Sequence, residues 1–154
     1  MKIVKKLIAP VLVVGLLMTS LLTLHHLKTS KHQKIKIGIS QYITHKSLDA
    51  TQKGFVEELA KQGYVDGEEI EIDYQNAQGE QRNLKNISNQ LSQESDLVFA
   101  IATPSAQSIA NTSKTTPVVF SAVTDPLAAK LVKNLDQPGG NVTGTSDHSS
   151  DAIA

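Results

Sequence analysis

From Ile35 onward the chain alternates between two kinds of segment, and this alternation limits its fold more than any other feature. Short apolar runs of strand length are separated by stretches whose apolar residues return at helical spacing. Ile35 to Ile39 reads as a buried strand. Ser47 to Gln62 follows as a helix with Leu48, Phe55, Val56 and Leu59 on one face; Ser47 is placed to cap its start and Gly63 with Tyr64 to close it. Glu69 to Tyr74 sets Ile70, Ile72 and Tyr74 on alternate positions, a strand with one buried face. Glu80 to Gln93 carries Leu84, Ile87 and Leu91 on a helical stripe. Asp96 to Ala102 is a third strand, Pro104 to Thr112 a short helix and Pro117 to Val123 a fourth strand. Pro126 to Asn134 reads as a further helix, and Pro138-Gly139-Gly140 turns the chain into a fifth strand from Val142 to Thr145. Phe55, Phe99 and Phe120 fall inside elements and read as core. Strands joined through helices run parallel, so the expected fold is α/β, a doubly wound parallel sheet over residues 35–147.

What precedes the sheet is of another kind. Residues 1–6 are basic, and residues 7–24 form an apolar run of 18 residues, close to the ~20 that span a bilayer. Pro10 and Gly15 inside the run are tolerated in membrane helices. No Ala-x-Ala-like site ends the run. The expectation is an uncleaved signal anchor at the cell membrane with the domain on the extracellular or periplasmic face, or a secreted protein if cleavage occurs. Residues 25–34 read as a polar tether, and residues 148–154 as a crossover that leaves the fifth strand toward a missing second lobe.

Charge and composition remove several functions. The chain has 15 basic and 15 acidic side chains, but residues 1–31 hold five lysines and no acid. The remaining 10 bases face all 15 acids, a net −5 with Arg82 as the single arginine, which does not suit a nucleic-acid binder. Zero cysteines exclude disulfides, thiolate metal sites and thiol nucleophiles. His25, His26 and His32 lack ligand spacing on a helix face, so no metal is expected. No Gly-rich phosphate loop follows the first strand, and no cofactor is expected.

In an open parallel sheet, ligands sit beyond the carboxyl ends of the strands. Three strand exits are polar here: Ser40 to Asp49, Ala102 to Ser105, and Ala122 to Pro126. In the last two, Thr103 precedes Pro104 and Asp125 precedes Pro126, so each reads as a cap before a proline at the first helical position. Two helix N-termini at one sheet edge make an anion site, to which Thr103, Ser105 and Thr124 add hydroxyl donors; a carboxylate suits it. Asp125 reads as a cap, with an acceptor for a ligand ammonium as the other reading. A catalytic triad of His45, Ser105 and Asp125 is disfavoured, because no Gly-x-Ser-x-Gly elbow surrounds Ser105; no catalytic residue is assigned.

The ordered series Lys36-Ile37-Gly38-Ile39-Ser40-Gln41, His45-x-x-Leu48-Asp49, Gly54-Phe55, Ala102-Thr103-Pro104-Ser105-Ala106, Ala122-Val123-Thr124-Asp125-Pro126 and Pro138-Gly139-Gly140-Asn141-Val142-Thr143-Gly144 resembles one family. That family is the ABC-transporter substrate-binding proteins of the tryptophan/tyrosine type, with a type I periplasmic-binding-protein fold. The resemblance implies a non-enzymatic, two-lobed receptor that closes on an aromatic amino acid and delivers it to a membrane permease and its ATPase. The chain corresponds to the first lobe. By the same resemblance, Thr103 and Ser105 hold the amino-acid carboxylate, Gln41, Tyr42, His45 and Asp49 line the cleft near the ligand side chain, and Thr124 with Asp125 form the opposite rim. Tyr42 reads equally as a ring that stacks on the ligand or as a packed core tyrosine. The other functions considered are a ligand-sensing lobe of a membrane regulator and, less favoured, a hydrolase at the same sheet edge.

Overall fold

The computed structural model describes residues 33–147. The basic segment 1–6, the anchor 7–24, all but the last two residues of the tether, and the crossover 148–154 lie outside the described residues. Five strands and three helices alternate: β1 (Ile35–Gln41), α1 (Lys46–Lys61), β2 (Ile70–Asn76), α2 (Gln81–Glu94), β3 (Leu97–Ile101), α3 (Thr103–Thr112), β4 (Val118–Val123) and β5 (Val142–Ser146). All strand pairs are parallel and the sheet order is β2-β1-β3-β4-β5. This is the 2-1-3-4-5 order of a doubly wound sheet, whose direction of travel reverses between β1 and β3.

The reversal puts helices on both faces. Ile37, Ile39, Ile70, Phe99 and Ile101 form one core layer, against which Leu48, Phe55, Val56 and Leu59 of α1 pack. Phe55 stacks on Phe99 with ring centroids 4.0 Å apart. On the other face Leu84, Ile87 and Leu91 of α2 and Ala106 and Ile109 of α3 meet Val98, Ala100, Val118, Phe120 and Val123. The stripes that mark the helices in the sequence are therefore the stripes that bury. Tyr74 departs from its expected burial: on the edge strand β2 it is 43% exposed, while Ile70, paired with Ile35, is fully buried.

Helix ends follow local chemistry, with corrections at the expected caps. The close of α1 is as expected: Gly63 at φ +90° lets its N–H donate to Ala60 O and the Tyr64 N–H to Leu59 O, the paired bonds of a Schellman cap. At the start of α1, however, His45 occupies the cap position in place of Ser47, and its Nδ1 accepts from the Ser47 N–H at 3.4 Å. The helix begins one residue earlier because the extended backbone ends at His45, whose carbonyl accepts the first helical bond from Asp49.

The expected helix from Pro126 to Asn134 is not formed. Asp125 does cap, its Oδ1 accepting from the Leu127 and Ala128 N–H groups at 3.0 and 2.9 Å. One turn later Lys130 enters the left-handed region at φ +58°, its N–H donates to Leu127 O, and the Leu131 N–H donates to Pro126 O. These are again the two bonds of a Schellman cap, so a single turn is closed at both ends. Leu131 and Val132, which suggest a helix by spacing, are buried by the irregular segment beyond it.

Beside β4, Gly144 of β5 lies so close to Phe120 that a Cβ would sit 2.2 Å from its carbonyl oxygen and 2.6 Å from its ring. Gly54 in α1 has nothing within 4 Å of the same position. Gly144→Ala should therefore cost about 1–3 kcal/mol or more by overpacking, whereas Gly54→Ala should stabilise by roughly 0.5–1 kcal/mol through helix propensity. Asp125→Ala should cost about 1 kcal/mol by removing the acceptor of two N–H groups. Urea unfolding of the three variants checks all three signs.

Candidate functional site

The registers align the carboxyl ends of the central strands: Gln41 lies opposite Ile101, and Ile101 opposite Ser121. The three polar exits thus open on one edge, with the switch point between β1 and β3 at its centre.

At the β1 exit, Gln41 is fully buried. Its Nε2 donates to Asp49 Oδ1 at 2.7 Å and to Ile43 O at 2.9 Å. Two acceptors around one amide nitrogen fix the side chain's orientation and leave Oε1, also buried, without a partner. Gln41 and Asp49 are thus brought together, with the exposed Asp49 holding the buried amide. Tyr42 is directed elsewhere: it is half-buried against the core of the α2/α3 face, and its hydroxyl donates to Gly79 O at 2.9 Å. The Ala77 and Gly79 N–H groups donate to Gln41 O and Tyr42 O, so this exit is fastened to the β2–α2 loop. His45 is exposed, and its Nδ1 lies 2.8 Å from Ser47 Oγ.

The β3 exit differs from its expected form. Thr103 is the first residue of α3, and the cap position belongs to Ala102, which offers no side-chain bond. Ala102 has φ +77° and ψ 154°, a conformation found almost only in glycine, which costs about 1–3 kcal/mol. The chain turns one residue earlier than a threonine cap requires, so the N-terminus of α3 is uncapped. Its first N–H groups lack partners within the helix, and Pro104 contributes none. Ser105, in this first turn, is fully buried and its Oγ has no partner. Ser40 Oγ at the end of β1 is in the same condition. Sequence reading did not single out Ala102 or Ser40, because neither an alanine in a glycine conformation nor an unsatisfied hydroxyl leaves a local signal.

At the β4 exit Thr124 and Asp125 are both exposed. Asp125 is committed to its own turn, and Thr124 O accepts from Ser146 Oγ at 2.9 Å. The two line a pocket of about 210 Å³ whose apolar members include Leu127 and Leu135. The expected pair of helix N-termini is thus one helix and one short turn. What the edge offers chemically is a single open helix terminus flanked by hydroxyls, with a rigidly held amide across the switch point. Such a terminus suits an anion.

Known proteins share this sequence pattern and fold. Residues 36–152 match a family model described as ABC transporter substrate binding protein. Over 122 residues, or 79% of this chain, it is 48% identical to the tyrosine-binding protein of Clostridioides difficile strain R20291 and covers 35% of that protein. A ligand-free, open structure of a substrate-binding protein with adhesive properties from Clostridium difficile superposes with a TM-score of 0.74 at 50% identity, over 75% of this chain and 40% of that one. A Streptococcus pneumonia ABC domain in complex with L-Trp gives 0.73 at 47% identity, over 75% and 39%. The chain spans well under half the length of these relatives. It belongs to the family of ABC transporter substrate-binding proteins.

Proposed function

We propose that residues 35–147 form the first lobe of a receptor that captures an aromatic amino acid, tryptophan or tyrosine, outside the membrane and hands it to a permease driven by an ATPase. The observation that carries the reading is the β3 exit, where an uncapped helix N-terminus, a strained Ala102 and a buried, unpaired Ser105 Oγ coincide. The ligand carboxylate docks on the free N–H groups of the first turn of α3, with the half-buried Thr103 at its side. Ser105 joins it when the strained turn at Ala102 shifts. Gln41, held by Asp49, together with His45, borders the ligand side chain, Tyr42 fastens this exit to the β2–α2 loop, and Thr124 with Asp125 forms the far rim. A second lobe supplies the opposing face, since capture by closure requires two. The ligands of the tyrosine-binding relative and of the L-Trp complex support the aromatic class.

Export and anchoring follow from the sequence of residues 1–24. Among the described residues no helix is long and apolar enough to cross a membrane. The hydrolase reading gains no support, because His45 is engaged by Ser47 and Asp125 by its own turn.

Isothermal titration of the chain with L-tryptophan and L-tyrosine is expected to give weak binding without turnover, since one lobe offers one face, and none with the D-enantiomers. Thr103→Val should weaken binding roughly tenfold, or about 1.4 kcal/mol. Ser105→Ala should weaken binding while leaving the Tm of the free protein unchanged or raised, since it removes a buried hydroxyl that has no partner. A lower Tm with unaltered affinity would give Ser105 a purely structural role.

A further inference from the structure

A groove of about 510 Å³ runs between the C-terminal part of α3 and the segment from Leu127 to Val142. It shares Leu127 with the pocket at the β4 exit and runs from there away from the ligand edge: α3 runs back from the carboxyl end of the sheet, and Asn141 precedes β5, which Val142 begins, so the groove reaches the amino ends of the strands. Leu131, Val132 and Val142 give it an apolar floor, and Lys114, Lys130 and Lys133 lie along its rim with no carboxylate among the lining residues. The two ion pairs among the described residues both lie on α1. The rim lysines therefore have no acidic partner, and Lys114 Nζ reaches only Ala110 O, at 2.6 Å.

Lys130 adds an independent observation. It occupies the left-handed position that closes the turn after Asp125, where glycine fits without strain and a side chain does not. A lysine kept in that position lowers stability, and such strain clusters where a side chain has a use. Across the sheet the charge is opposite: Asp66, Glu68, Glu69, Glu71 and Asp73 lie within eight residues on and before the other edge strand, β2. An anionic bilayer laid against this end of the lobe would meet that acidic edge as well as the lysines and be repelled by it. A concave, basic-rimmed groove with an apolar floor instead admits a local chain.

We propose that this groove is a docking site for an acidic polypeptide segment of a partner protein, with carboxylates on Lys114, Lys130 and Lys133 and an apolar side chain on the floor. Fluorescence anisotropy with the full chain in a neutral detergent tests it, using a fluorescein-labelled peptide of repeated Glu-Glu-Leu triplets. Saturable binding is expected, weakened roughly tenfold by raising the salt and absent with the Gln-Gln-Leu counterpart. K114Q/K130Q/K133Q should weaken it by about tenfold or more, whereas K53Q/K61Q on α1 should leave it unchanged. Lys130→Gly should weaken binding several-fold yet raise the Tm by about 3 °C. The proposal is overturned if the α1 variant loses binding equally or if Lys130→Gly lowers the Tm. It is equally overturned if dihexanoyl phosphatidylglycerol, and not the peptide, binds through these lysines.

Discussion

The parallel pairing of β1 with β3 is the constraint on which the rest of the lobe depends. Its register sets Gln41 opposite Ile101, so the chain leaves both strands at the same height. From that line α1 departs over one face of the sheet and α3 over the other. Without that register, the amide of Gln41 and the first turn of α3 would not share an edge. The two core layers hold it: Ile39 and Phe99 from one side, Val98 and Ala100 from the other, all buried. Packing therefore secures the position of the polar exits, which contribute little to stability themselves.

The exits in turn hold features that a stability-driven fold would remove. A glycine at position 102, or a side-chain cap there, would relieve strain or satisfy the N–H groups of α3. A partner for Ser105 Oγ or Gln41 Oε1 would remove the cost of a buried unsatisfied polar atom. These defects cluster at the edge where a doubly wound sheet binds ligands. By contrast the turn at Asp125 is satisfied at both ends. That contrast is the support for the proposed anion seat at the β3 exit and the proposed rim at the β4 exit.

Much of the fold was legible because burial follows period. The stripes of α1 and α2, the continuous apolar run of β3 and the Gly63 closure are each local statements that packing then honours. The misreadings have a common physical origin. Leu127, Leu131 and Val132 carry helical spacing, but a lysine in a left-handed conformation ended the turn, and nothing in a lysine announces that. Thr103 before Pro104 has the chemistry of a cap, yet the decision was made by the backbone of Ala102. Ser47 was displaced by His45 for the same reason, since the extended backbone ended two residues sooner. Of the candidate site, Gln41 and Asp49 could be placed near one exit by chain order. Their bond, and the orientation it imposes on Gln41, required the α1 N-terminus in three dimensions.

The proposed function makes the open N-terminus of α3 the carboxylate seat. Titration of the ¹⁵N-labelled chain, followed through the backbone amide resonances of Thr103 and Ser105, tests it most directly. L-tryptophan and indole-3-propionate, which share a carboxylate, should shift both resonances strongly, and tryptamine, which lacks one, should not. Equal shifts with tryptamine, or shifts confined to other parts of the edge, would contradict the account.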